Sequence, residues 1–411
     1  MSTYTPSYEV LPALKWRLPA GVEVLLPHQA EQVELLRRTL LDLFRGWGYE
    51  LISPPLIDSL EALKVGAGQD LEQQIFVLSD VANGELLGLR PDITPQVARI
   101  DAHSLAQSTV TRLCYSDAVL QARPSRVSDQ RMLIQTGVEL YGHHGVASDV
   151  EMLQLLMATL DELAIDDYHL DVGHVGILDA ILAGCDSGDL KATQKSQLLQ
   201  IIQRKSMPDL KVYLLQQGWS DQVVGKQLCA LLRFHGRADV LALAKQALAD
   251  ISPLNPALMA AFDELEAVSQ CLIDSLPEER LIFDLSESRG FQYHTGLVFA
   301  AYVPSFGAAL AMGGRYNGVG REFGNARPAI GFSLDLLKAA SVSGRQVVKN
   351  MAIYAPAELV TSALSLISDL RLAGERVILG LSDDEVPDAL GCDRQIIKNT
   401  DGQYQVTWLA E

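Results

Sequence analysis

Cysteine is scarce in this 411-residue chain: Cys114, Cys185, Cys229, Cys271 and Cys392 are scattered, odd in number and never spaced as C-x-x-C. A disulfide framework or zinc ribbon is therefore not expected, and the reading is of reduced, mostly buried thiols in a cytoplasmic protein. The eight histidines lack metal-ligand spacing; His143 and His144 are adjacent and on a strand point to opposite faces. No metal and no cofactor are expected. No run of eighteen apolar residues occurs, and the first thirty residues lack a basic start followed by an apolar stretch, so neither a membrane span nor a secretory leader is expected. Positive charge is also short, with 33 Lys and Arg against 51 Asp and Glu, a net charge of −18, and no basic run. That balance opposes non-specific attraction to a polyphosphate backbone, although a local basic groove is compatible with it.

What is present is globular: 48% hydrophobic and 20% charged residues, in a length that predicts two or three domains. Pro27 precedes a helical pattern from His28 to Trp47, with Val33, Leu36, Leu40, Leu43, Phe44 and Trp47 on one stripe. A short strand around "YELIS" is stopped by Pro54-Pro55, which suits an edge able to pair with another subunit. Ile75 to Leu78 and Leu86 to Leu89 flank Asn83-Gly84 as a hairpin, delivering Arg90, Asp92 and Thr94 ahead of a helix start at Pro95. Asp92 and Thr94 read equally as helix caps and as site residues. A second pair of strands spans Arg112 to Leu120 and Met132 to Tyr141, joined by a polar loop with Pro124. From about 180 to 275 the pattern turns helical, at Ala192 to Arg204, Asp221 to Phe234 and Ala238 to Ala249, with Pro208 among the breaks. Strands then return, and residues 345–411 read as a small α/β unit with six basic and ten acidic residues.

The order of these motifs resembles the catalytic core of class II aminoacyl-tRNA synthetases, specifically histidyl-tRNA synthetase. "GYELISPPLID" resembles motif 1, "RLCYSDAVLQARP…QTGVELYG" motif 2, "SRGFQYHTGLVF" the histidine-specific R-G-L-D-Y-Y signature, and "MGGRYNGVGREFG…PAIGFSLDLLK" motif 3. The resemblance implies an α+β fold: an antiparallel sheet flanked by helices over residues 1–340, with a helical insertion at about 180–275 and a C-terminal α/β domain at 345–411. It also implies dimerisation through motif 1.

Departures from the synthetase pattern concentrate where ATP would bind. Gln121 stands where the family has the arginine that clamps the α-phosphate, and Lys338 where motif 3 ends in arginine. Asp129 falls near the expected γ-phosphate arginine, and Arg123 is offset by one position, which in an extended strand reverses the face. An amide, an acid and a lysine do not supply the planar positive forks a triphosphate needs. The resemblance carries the amino-acid pocket over better, onto Asp92, Thr94, Gln135, Glu139, Arg289 and Tyr293, with Gln292 and His294 replacing an aspartate and a tyrosine. Gln135 and Glu139 are four apart and share one face of a strand. Amine facing acid, carboxylate facing arginine and imidazole between polar groups describe a free-histidine site.

This combination resembles the histidyl-tRNA-synthetase-like regulatory subunits of ATP phosphoribosyltransferase. That family implies a subunit without its own catalysis, which assembles with short-form catalytic subunits in the first step of histidine biosynthesis, activates them and transmits feedback by histidine. Transfer RNA is not an expected partner, because the anticodon-reading domain is replaced by a short acidic unit. The alternative is a divergent histidyl-tRNA synthetase, which would require adenylation.

Overall fold

The structure is a computed structural model that describes residues 17–66, 68–124, 129–183, 192–273, 276–288, 293–347, 351–382 and 384–409. It divides into two compact units at Arg345/Gln346. The larger is built on a nine-stranded sheet. Its strands are β1 (Glu50–Leu51), β5 (Thr111–Leu120), β6 (Met132–Tyr141), β7 (His169–His174), β8 (His235–Gly236), β9 (Leu281–Asp284), β10 (Leu297–Tyr302), β11 (Ala309–Arg315) and β12 (Ala329–Asp335), in the order β1-β5-β6-β12-β11-β10-β7-β9-β8. Among the described residues of this sheet, only β1–β5 and β7–β9 pair in parallel. β2 (Ile57–Ser59), β3 (Phe76–Ser79) and β4 (Leu86–Leu89) form a separate antiparallel sheet.

The alternation along β6 sorts the two faces of the large sheet. Val138 and Leu140 point into the main apolar core, together with Cys114, Ile330 and Phe332 from neighbouring strands. The helix Pro27–Gly46 closes that face with buried Val33, Leu36, Leu40 and Phe44, and the Phe44 ring meets Phe332 edge-on at 6.4 Å. Proline at its first turn costs no hydrogen bond, because those N–H groups have no intrahelical partner. The helix Val146–Glu162 joins the same layer. On the opposite face Leu113, Tyr115, Tyr141, Ile93, Val97 and Tyr316 form a second, smaller core.

The Asn83-Gly84 hairpin is present with β3 paired to β4 from Phe76↔Leu89 to Ser79↔Leu86, and its connection runs over 80–85. Asp80 closes it from both sides, donating to the Glu85 carbonyl and accepting from Gly84 N, with Gly84 at φ +77°. Between Ala192 and Leu272 the chain is helical, at Ala192–Gln203, Met207–Gln216, Val223–Leu231, Asp239–Ile251 and Pro256–Leu272. Pro208, read from sequence as a break, sits in the first turn of Met207–Gln216, where Ser206 Oγ accepts from Asp209 N. The segment is not purely helical: His235–Gly236 adds β8 to the sheet edge against β9. This places the helical segment directly against the strand that leads to Tyr293.

The smaller unit holds β13 (Ala352–Ala355), β14 (Val377–Leu379), β15 (Cys392–Lys398) and β16 (Tyr404–Trp408) in the order β14-β13-β15-β16, parallel except for β15–β16. The helix Leu364–Leu372 lays Ile367 onto Ile353, Ala355, Val377 and Ile396. A 3-10 turn at Ala357–Leu359 precedes that helix. Among the described residues, no helix is long and apolar enough to cross a membrane.

Leu36 is fully buried between helix and sheet. Leu36→Ala is expected to lower the unfolding free energy by about 2–5 kcal/mol in urea denaturation, while a loss below about 1 kcal/mol would contradict this packing.

Candidate functional site

Positions 135, 137, 139 and 141 of β6 face away from the helix layer, and Glu139 at their centre is 2% exposed. Burial of a carboxyl is costly unless donors reach it. Tyr115 Oη on β5 donates to Glu139 Oε1 at 3.1 Å, Tyr316 Oη donates to Oε2, and Tyr316 also meets Tyr141 Oη at 3.1 Å. Two glycines make the arrangement possible. A side chain at Gly331, directly opposite on β12, would occupy the space of the Glu139 carboxyl, and a Cβ at Gly137 would lie 2.8 Å from the Tyr115 hydroxyl. Burial pushes the Glu139 carboxyl up to about 8, against the lowering effect of its hydroxyl donors. The same burial, together with the nearby Glu139, holds Tyr115, Tyr141 and Tyr316 well above the ordinary phenol range.

A second polar group lies four residues back along β6, around Gln135. Asp92 Oδ1 accepts from Thr94 N at 2.9 Å and from Gln135 Nε2 at 2.8 Å, while Gln135 Oε1 accepts from Ile93 N and Gln135 Nε2 reaches Ser333 Oγ at 3.1 Å. Asp92 is thus both a local turn former and a partner of β6. Thr94 Oγ1 lies 3.2 Å from Tyr115 Oη and connects this group to the Glu139 group. Tyr293 stacks on Tyr316 with centroids 5.2 Å apart, and its buried hydroxyl has no hydrogen-bond partner among the described residues. Asp92, Thr94, Gln135, Glu139 and Tyr293 are therefore brought together. Arg289 and Gln292 lie outside the described residues.

Sequence reasoning missed Tyr115, Tyr141, Tyr316 and Ser333. Tyr115 and Tyr141 occupy strand positions where any large apolar residue would satisfy the pattern. The available signal was the alternation that puts Tyr115 and Glu139 on one face of paired strands. Behind Tyr316, Arg315 is 3% exposed and donates to Asp149 Oδ1 from Nε at 3.0 Å and Nη2 at 2.6 Å, to Ser148 Oγ, and to the His143 and Gly145 carbonyls. Its own carbonyl accepts from Thr295 N at 2.7 Å. One residue thereby ties the start of the helix Val146–Glu162 to the segment carrying Tyr293.

The front of the β5–β6 hairpin is built differently. β5 ends at Leu120, so Arg123 lies beyond the strand and face alternation does not govern it; its Nη1 donates to Gln73 Oε1 at 2.8 Å and its N–H to Gln74 Oε1. Gln121 pairs through its backbone with Arg131, whose guanidinium lies 4.5 Å over the Phe76 ring and donates to the Gln121 and Ala20 carbonyls. Asp129 is exposed. Lys338 Nζ is 3.6 Å from Asp335 Oδ2.

Two family models cover the chain: histidyl-tRNA synthetase matches residues 21–339, and ATP phosphoribosyltransferase subunit HisZ C-terminal domain matches residues 349–407. The protein named ATP phosphoribosyltransferase regulatory subunit from Thioalkalivibrio sulfidiphilus is 45% identical, over 96% of this chain and 98% of its own length. The protein of the same name from Chromohalobacter salexigens is 42% identical, over 96% and 99%. This chain belongs to the ATP phosphoribosyltransferase regulatory subunit family. The relatives are named for a regulatory, not a catalytic, subunit. Two solved structures share the class II synthetase-like fold of this family member. One is described as an ATP phosphoribosyltransferase regulatory subunit/histidyl-tRNA synthetase from Bacillus halodurans (TM-score 0.79, 24% identity, 94% of this chain and 97% of that one). The other is histidyl-tRNA synthetase from Nostoc (TM-score 0.76, 19% identity, 96% and 97%).

Two outcomes follow from the buried charges. Removing Arg315 strands Asp149, so Arg315→Met is expected to destabilise the protein by about 3–5 kcal/mol in chemical denaturation; a loss under about 1 kcal/mol would show the pair to be dispensable. The Glu139 carboxyl is raised in the folded state, so between its ordinary value and about 8 the folded protein holds a proton that the unfolded chain has released. Its contribution is complete at low pH and fades as pH rises through that window. Glu139→Gln removes this titration, so the stability of the variant relative to the parent should rise from pH 5 to pH 8; a flat or falling difference would be the opposite result.

Proposed function

We propose that this chain regulates an ATP phosphoribosyltransferase. In this reading it performs no chemistry itself, assembles with short-form catalytic subunits, raises their activity, and lowers it again when free histidine occupies the cluster around Glu139. The observation that carries the regulatory reading is near end-to-end similarity, at 45% identity, to a protein named as such a subunit. The histidine reading is supported by chemistry. An imidazole can bridge Glu139 and the phenols, the α-ammonium can face Asp92 and Gln135, and Thr94 and Tyr293 complete the wall. Arg289 is assigned to the carboxylate from its sequence position alone.

Loss of adenylation belongs to the same reading. Charge-assisted contacts are worth about 1.5–3 kcal/mol each. Gln121 and Asp129 offer none to a phosphate, and the ammonium of Lys338 faces Asp335. The net charge of −18 argues against transfer RNA as partner. Dimerisation through the synthetase-like core is supported by β1, which ends the large sheet at an edge with Leu51 57% exposed, and by exposed Leu56 and Ile57 just beyond it. The four described cysteines are free thiols, which fits a cytoplasmic protein.

The chain is expected to co-purify with a short phosphoribosyltransferase chain and raise its rate, with histidine reversing the gain; no association and no rate change would reject the reading. In calorimetry histidine should bind and Mg-ATP should not, and Glu139→Gln should weaken histidine by roughly ten- to hundredfold. Appreciable histidine-dependent pyrophosphate exchange with ATP would favour a divergent synthetase instead.

A further inference from the structure

The helix Ala192–Gln203 ends in a backbone conformation that its sequence does not favour. Ser206 N donates to the Ile201 carbonyl and Lys205 N to Ile202, with Lys205 at φ +51°. This left-handed closing residue is ordinarily glycine, since a Cβ is unfavourable there. A lysine held in that position at a backbone cost points to a contact made by its side chain.

That contact is with the turn leading to the pocket. Lys205 Nζ lies 2.8 Å from Asp284 Oδ2, a carboxylate 4% exposed at the end of β9. Asp171 and Glu287 each bring a carboxylate oxygen to within 4.8 Å of one from Asp284 and of each other, so the ammonium pairs with one member of a three-acid cluster. The turn is ordered around Asp284, whose Oδ1 accepts from Ser286 N and Oγ and whose carbonyl accepts from Glu287 N. The helical segment grips this turn at two more points: Gln203 Nε2 donates to the Ser288 carbonyl at 3.3 Å, and Leu285 N to that of Phe234. Tyr293 follows Asp284 by nine residues, and its ring meets the His294 imidazole edge-on at 5.3 Å. Tyr293 stacks on Tyr316, the donor to Glu139.

We infer that Lys205 is a positioning residue for the Tyr293 wall of the pocket, so that the helical segment 192–272 sets the affinity of the site without touching its ligand. This inference rests on the histidine reading of that pocket for its affinity half and on geometry alone for its positional half. It predicts that any partner or substitution displacing the end of Ala192–Gln203 changes ligand affinity through Asp284.

Lys205→Gly separates the two roles of the residue, because it relieves the backbone while deleting the ammonium; Lys205→Arg restores a cation. In the full-length chain, Lys205→Gly is expected to melt within a few degrees of the parent yet bind histidine about fivefold or more weakly by calorimetry. It should also speed hydrogen exchange in the peptide spanning 284–298 without altering exchange in residues 351–409. Lys205→Arg should recover most of both effects. Equal histidine affinity in parent and Lys205→Gly, with unchanged exchange, overturns the inference while leaving the pocket intact. Absence of histidine binding by the parent overturns the pocket reading and the affinity half with it, and the exchange comparison then decides the positional half by itself. A large fall in melting temperature with exchange raised throughout the chain marks Lys205 as a general structural tether and also overturns it.

Discussion

The burial of a single carboxyl organises the second face of the large sheet. Glu139 sits at the centre of β6 with almost no access to water. An ion there would be prohibitively desolvated without donors, and a proton alone does not satisfy both oxygens. The neighbouring strands meet this demand with phenols: Tyr115 from β5 and Tyr316 from the end of β11, with Tyr141 closing behind. Phenols are bulky, so room has to be made, and Gly137 and Gly331 make it. Any one of these changes alone would leave a buried donor or acceptor unmatched, which is why the group behaves as a unit rather than as separable contacts.

How much of this can be read from sequence depends on the range of the interaction. Strand β6 has the bounds its pattern predicts, Met132 to Tyr141, because a period of two is a local property. The stripe Val33, Leu36, Leu40 and Phe44 is legible for the same reason, and so is the shared face of Gln135 and Glu139. Pro208 misleads because proline both ends and begins helices, and only Ser206 as a cap decides between the two. The Arg315–Asp149 pair joins residues 166 apart, and no local rule links them. Tyr316 is invisible for a similar reason: a tyrosine after a strand carries no mark that its hydroxyl will end on a carboxyl 177 residues earlier. Motif order narrows the neighbourhood of the site, but the partners inside it come from the fold.

The β5–β6 hairpin shows two regimes within one element. At its base, strand register fixes every side chain, and polar groups are satisfied by other side chains across the sheet. At its tip the chain leaves the ladder after Leu120, and two basic side chains described there rest on neutral acceptors: Arg123 on Gln73, Arg131 on two carbonyls and the face of Phe76. A guanidinium on neutral acceptors keeps its charge but has its fork occupied, and a competing anion must displace those bonds before it gains any of its own. Change at the tip and constancy at the base are therefore physically independent. A family built on this hairpin can lose one capacity without disturbing the other.

A pocket that reports its occupancy must be bound unequally by two states of the protein, and the usual scale of that inequality is about 1–3 kcal/mol. The Glu139 wall is poorly suited to supply it. Its groups lie on paired strands, and displacing them breaks several buried hydrogen bonds at once, a cost well above that scale. The Tyr293 wall is suspended differently, from the Thr295 bond to the Arg315 carbonyl on one side and from the turn at Asp284 on the other. The ammonium that holds that turn is 42% exposed, so solvent screens this pair more than the fully buried Arg315–Asp149 pair. An anchor of that strength is firm enough to bias the wall and weak enough for a partner or a ligand to shift. In the reading we propose, the rigid wall would supply recognition and the lightly held wall the difference between states.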